Sequence, residues 1–212
     1  MAFKNDYIMR LIEQLGVVIA RIIYLKRNGQ YDEAEAALSR AAQNLLGFDM
    51  ALLRRLTDEG IAELLRRPDP SDVGQLLAAA ELLREQGEID AQRGGPDTDY
   101  DCNHKALSLY LECYLHAADL TAKVAALVGA LRPYFLPVAT RRKLAAYYER
   151  AGDFAQAENL THLLMEDGAA GAWEDGLAFY ARLAARSDEE LAAGGLPRDE
   201  MEEGHAAFQE LR

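Results

Sequence analysis

The sequence predicts an all-α protein built from antiparallel helix pairs, and three observations carry that expectation. Apolar residues recur at spacings of three and four along most of the 212 residues. No stretch of useful length alternates apolar and polar residues as a strand does. Finally, one phrase occurs twice: Gly29-Gln30-Tyr31-Asp32-Glu33-Ala34 and Gly152-Asp153-Phe154-Ala155-Gln156-Ala157. Each copy lies between two helix-period segments. The glycine ends the first helix, the aromatic wedges between the pair, and the alanine lets the second helix approach closely.

The first helix is expected from about Lys4 to Arg27, with Tyr7, Ile8, Leu11, Ile12, Leu15, Val18, Ile19, Ile22 and Ile23 inward. Val17 and Leu25 spill beyond one stripe. The second runs from Tyr31 to Leu46, with Ala34, Leu38, Ala41, Ala42, Leu45 and Leu46 inward, and Gly47 ends it. A short helix near Met50 to Leu56 precedes another from Asp58 to Arg67, capped by Thr57. Pro68-Asp69-Pro70 breaks the chain and Ser71 caps the next helix, Asp72 to about Gln92. After the loop around Gly94-Gly95-Pro96 come helices from Tyr100 to Asp119 and from Leu120 to Leu131. The second tight pair follows Pro137, Val138 to Arg150 and Phe154 to Met165. A helix through Trp173, Leu177, Tyr180 and Leu183 is next. Ser187 caps a short acidic helix, and Pro197 starts the last one. The expected organisation is a single domain over 1–212, with possible halves 1–93 and 98–212 around the Gly94 loop.

Composition narrows the function class. Half the residues are hydrophobic and only 6 are proline, which fits a packed core and not a disordered chain. The net charge of −12 argues against a nucleic-acid partner, since phosphate would be repelled. That charge is uneven: residues 1–67 carry ten Lys/Arg against nine Asp/Glu, and residues 166–212 carry four against twelve. The acidic end is a solvated face, or a surface for a basic partner or the N-terminal region of a second copy. The most apolar run, Leu15 to Leu25, has 11 residues and contains Arg21. A membrane span needs about 20, so no membrane association is expected. The N-terminus does not read as a signal peptide. Cys102 and Cys113 fall on one expected helix, about 16 Å apart in rise, where a disulfide needs about 7 Å or less. They cannot pair within that helix, and a reducing cytoplasm is the expected setting.

Leu144-Ala145, Tyr148, Gly152, Phe154 and Ala157 resemble a tetratricopeptide repeat: the leucine and small residue of its first helix, then the aromatic, the turn glycine and the small residue of its second. Gly29, Tyr31, Ala34 and Ala41 match the second half of that pattern. Ala106, Tyr110 and Cys113 resemble the second helix of a third unit, whose first helix contains Gly87. Ile22 stands where a small residue is usual, and the closing proline is missing from all three. The fold class is therefore an all-α, degenerate tetratricopeptide-like array. The order of segments, from Asp6-Tyr7-Ile8-Met9-Arg10 to Gly195-Leu196-Pro197-Arg198-Asp199-Glu200, is similar to a bacterial family known only as a domain of unknown function. That resemblance implies a bacterial cytoplasmic helical protein and carries no catalytic residues.

No glycine-rich phosphate loop, nucleophile elbow or paired metal motif is present. No cofactor and no catalytic residue is expected. Cys113 and His116, with Glu112 and Asp119, are the best-spaced metal candidates, but one helix supplies two ligands comfortably and a site needs three or four. Core packing of Cys113 is the stronger reading. Glu202-x-x-His205 has the spacing of di-iron bundles, yet no second Glu-x-x-His exists in the chain. Cys102-x-His104 sits where a helix start would lower a thiol pKa, with Asp99 and Asp101 opposing that.

The function expected on these grounds is a non-enzymatic protein–protein interaction or self-association module. Its partner is a protein or peptide, or a second copy forming a homo-oligomer. Helix one has more apolar positions than one packing stripe needs, so Ile8, Ile12, Val18 and Ile22 are the self-association candidates. Tyr114, Arg141 and Tyr148 are the candidates for a partner or ligand groove. The alternative is a small-ligand or peptide sensor that uses that groove.

Overall fold

The computed structural model describes residues 2–66, 73–94, 97–114 and 120–212, with side chains from Leu11 onward except that of Ile12. Among these residues it is all-α, with twelve helices and no strand. No described helix is long and apolar enough to cross a membrane. The expected Pro68-Asp69-Pro70 break, the Ser71 cap and Gly95-Pro96 lie outside the described residues. The chain forms two compact units, Met1–Phe135 and Leu136–Arg212. The halves expected around Gly94 are not these units, because the helices on either side of that loop pack on each other inside the first one.

The first unit begins with the pair α1 (Ala2–Arg27) and α2 (Tyr31–Leu46). Its turn works as the repeated phrase requires. Gly29 has φ +70°, and the amides of Gly29 and Gln30 donate to the carbonyls of Lys26 and Leu25, both at 3.0 Å. A left-handed residue closing the last turn in this way favours glycine, which has no Cβ to clash. Ala34 is fully buried, as close approach of the two helices demands. Two short helices follow, each started by a side chain that accepts from an exposed amide. Asp49 caps α3 (Met50–Arg55) and Thr57 caps α4 (Asp58–Leu65).

The centre of this unit is the pair α5 (Gly74–Arg93) and α6 (Tyr100–Tyr114). α6 is buried without a break from Cys102 to Leu111, so it shows no solvent face along that stretch. It packs on α4, α5 and α7 (Thr121–Ala130). The α5–α6 contact is close because Gly87 faces Asn103: a Cβ at Gly87 would lie 2.4 Å from Asn103 Oδ1. Polar groups on so buried a helix need partners, and Lys105 and Ser108 find theirs on neighbouring elements. Lys105 Nζ donates to the Arg54 carbonyl and to Asp101, both at 2.7 Å. The Ser108 hydroxyl donates to the Asp58 carboxylate on α4.

The second unit repeats the opening motif. Gly152 (φ +80°) joins α8 (Val138–Ala151) to α9 (Phe154–Glu166), with the Asp153 amide donating to Tyr148 at 2.9 Å. Ala157 is again fully buried. α10 (Ala172–Ala184), α11 (Asp188–Ala193) and α12 (Arg198–Glu210) complete it. Ser187 and Glu190 form a reciprocal capping box at the start of α11. The core joins Phe154, Phe179, Tyr180, Leu183, Met201 and Phe208. Gly176 lets the Phe208 ring lie directly on the backbone of α10, since a Cβ there would be 2.1 Å from its ζ carbon.

Candidate functional site

α1 is amphipathic with an anomaly on its outer side. Leu11, Leu15, Ile22 and Leu25 are buried at helical spacing against α2 and α5. On the opposite face Val17 is 74% exposed and Tyr24 is 65% exposed. The two are seven residues apart, so they lie nearly one above the other. Glu13, Ala20 and Arg21 flank them and are exposed as well. Beside Val17 runs a furrow between α1 and α2 of about 640 Å³, with Val18, Ala41 and Leu45 as its apolar floor and Val17, Glu13, Gln14 and Asn44 along its edges. Single exposed apolar residues are ordinary. Two on one helix face, next to an apolar furrow, form a surface that can receive another helix.

The residues expected to mediate self-association fall in three places. Ile22 is completely buried, facing the core of its own unit. Val18 is half-buried and lines the furrow. The side chains of Ile8 and Ile12 lie outside the described residues. Val17, already outside the inward stripe, and Tyr24, which periodicity passed over, are the outward residues. Of the two apolar residues that spilled beyond the stripe, Leu25 is buried and Val17 is exposed.

The expected groove residues belong to different units. Tyr114 ends α6 in the first unit and is half-buried. Arg141 and Tyr148 lie on α8 in the second. Arg141 is buried and paired with Asp167 at 2.5 Å. Tyr148 meets Tyr147 edge-on at 5.3 Å, and burial pushes its phenol up from the ordinary range. The furrow of about 270 Å³ beside Arg142 is crossed by ion pairs: Arg142 with Asp175 at 3.1 Å, and Arg182 on Glu149 through two donors at 2.5 and 2.8 Å. These arginines tie α8 to α10.

The cysteines are placed for packing. Burial pushes both thiols up to about 12, and at Cys102 the nearby Asp90 carboxylate works in the same direction against Arg54. The expected outcome is slow alkylation of both by iodoacetamide at pH 8 in the native protein and rapid alkylation once urea unfolds it. Fast labelling of the native chain, read by mass, would contradict their placement. Among the described residues no group of three or more His, Cys, Asp and Glu side chains has the arrangement of a metal site. His116 lies outside the described residues. His205 stacks on Tyr180 at 4.7 Å and lies 3.1 Å from the Gln209 side-chain nitrogen.

Two polar constellations were not visible in the sequence. Tyr180 donates to Glu158 Oε1 at 2.8 Å while His162 Nε2 lies 2.8 Å from the same hydroxyl. The spacing of Glu158 and His162, four apart on α9, was the available signal. Asp58, His104 and Ser108 bring together the residue types of a hydrolytic triad, but Ser108 is fully buried and gives its proton to Asp58. It is a tie between α4 and α6, not a nucleophile. A cavity of about 600 Å³ beside α5 is lined by Lys26, Arg27, Tyr31, Arg84, Glu85 and Glu88 among others. Its Lys26 and Arg84 are each paired with both Glu85 and Glu88.

The model of a family of unknown function (DUF6483) matches residues 2–212, and the chain belongs to that family. No curated protein matches it. No solved structure matches it.

Proposed function

We propose that this family member is a non-enzymatic interaction protein whose helix pairs, resembling tetratricopeptide repeats, hold α1 as a binding element for a protein chain. The observation that carries this reading is the outward pair Val17 and Tyr24 beside the apolar furrow of α1 and α2. Exposed apolar surface bordered by charge is what a helix-binding face requires. The net charge of −12 favours protein over nucleic acid as the partner. A cytoplasmic setting in a bacterium accords with the resemblance and with two buried cysteines free of disulfide. A small-ligand sensor would use the cavity by Lys26 and Arg84, but an incoming anion would have to displace Glu85 or Glu88 from them. We therefore favour the protein partner.

The test is native mass spectrometry of the chain purified gently from its own host. The expected result is a stoichiometric second polypeptide, either another copy or a different protein, that is lost in the Val17→Glu variant. A chain that carries no second polypeptide, or one whose complex ignores Val17→Glu, would end this reading.

A further inference from the structure

We infer that the polypeptide bound on the outer face of α1 is a second copy of this chain, packed antiparallel along α1 with the two-fold axis at Val17; this rests on the reading of α1 as a binding element. Charge on this face of α1 is complementary about one residue. Glu13 and Arg21 lie four residues on either side of Val17, each about 6 Å along the helix and about 40° around it. Both are exposed, and neither makes an ion pair among the described residues. A two-fold axis passing between the two copies of Val17 reverses the second helix and sets Glu13 of each copy level with Arg21 of the other. One operation therefore closes two opposite-charge pairs around an apolar centre, which is the self-complementarity an isologous interface needs. A parallel arrangement would set Glu13 on Glu13 and Arg21 on Arg21.

The rest of the face agrees with that register. The symmetric counterpart of Gln14 is Ala20, so a longer side chain on one copy meets a small one on the other. The axis places Val17 on Val17, beside the furrow floored by Val18, Ala41 and Leu45. Apolar contact at the centre with charge pairs outside it is the usual anatomy of a specific interface.

The experiment uses the purified full chain, with mass read by light scattering at tens of micromolar. The wild type is expected at twice the 23.5 kDa of one chain. Glu13→Arg alone and Arg21→Glu alone each set like charges together twice, and each is expected to weaken the dimer by about a hundredfold or more. Mixing the two variants restores both pairs, so the mixture is expected to dimerise as heterodimer. Val17→Cys, with Cys102 and Cys113 buried, is expected to cross-link to its symmetry mate on mild oxidation without loss of helicity. A monomeric wild type overturns the inference and leaves the binding reading to a different protein partner. Single variants that stay dimeric, a mixture that fails to recover, or a Val17→Cys chain that does not cross-link overturn it by placing the contact elsewhere.

Discussion

Gly176→Ala is expected to destabilise the second unit by about 1 kcal/mol. The new methyl would lie 2.1 Å from the ζ carbon of Phe208 and within 2.7 Å of two further ring atoms. Phe208 is fully buried and its ring stacks on Trp173 at 5.5 Å, so it has no open space to retreat into. Overpacking of this kind costs about 1–3 kcal/mol, against a gain of about 1 kcal/mol from replacing a helical glycine by alanine. The steric effect is therefore the one that decides the sign. Trp173 is the single tryptophan of the chain and sits on the ring that must move. Urea unfolding followed by its fluorescence reports on this unit directly. Combining Gly176→Ala with Phe208→Leu is expected to recover part of the steric loss. A Gly176→Ala protein as stable as the wild type would mean that α12 seats differently on α10.

Glu85→Ala is expected to cost the first unit about 3 kcal/mol. The Glu85 side chain is fully buried and faces both Lys26 and Arg84, whose side chains are 11% and 22% exposed. Removing it leaves two largely desolvated cations with less compensation, and breaking a buried pair from one side costs about 3–5 kcal/mol. The lower end applies because Glu88 still reaches both cations and Glu81 lies 3.6 Å from Arg84. Removing two members together, as Lys26→Met with Glu85→Leu, is expected to cost less than Glu85→Ala alone, because Arg84 is then the one cation left of the two and Glu88 and Glu81 still face it. Urea denaturation followed by far-ultraviolet dichroism measures both. If Glu85→Ala unfolds at the wild-type midpoint, Lys26 and Arg84 find other compensation and the carboxylate is dispensable.

How much of this was legible in the sequence varies by element. The two glycine turns were fully readable, because a left-handed residue, an aromatic wedge and a buried alanine leave a fixed spacing. Gly29 with Ala34 and Gly152 with Ala157 hold those roles in the structure. The buried positions of the third pair, Ala106, Tyr110 and Cys113, were readable for the same reason. The environment of α6 was not. Asn103, His104, Lys105 and Ser108 are polar by composition, yet they are buried, and partners on other elements, such as Asp58 and the Arg54 carbonyl, receive some of them. Periodicity counts apolar residues and has no means of seeing a hydrogen-bond partner fifty positions away. The same blindness separated Ile22 from Val17. Both are apolar residues of one helix, and only the position of α2 and α5 decides which faces inward.

Because α6 is sheathed on all sides, the chain divides its tolerance for change along its length. A substitution between Cys102 and Leu111 meets packed neighbours whatever its chemistry, so variation there is filtered by folding alone. The outer face of α1 meets none of that filter. Val17, Ala20, Arg21 and Tyr24 are open to any residue the helix accepts, unless a bound partner restricts them. Across the members of this family, constancy inside α6 would therefore carry no functional information, whereas constancy on this one exposed face would be the imprint of a partner.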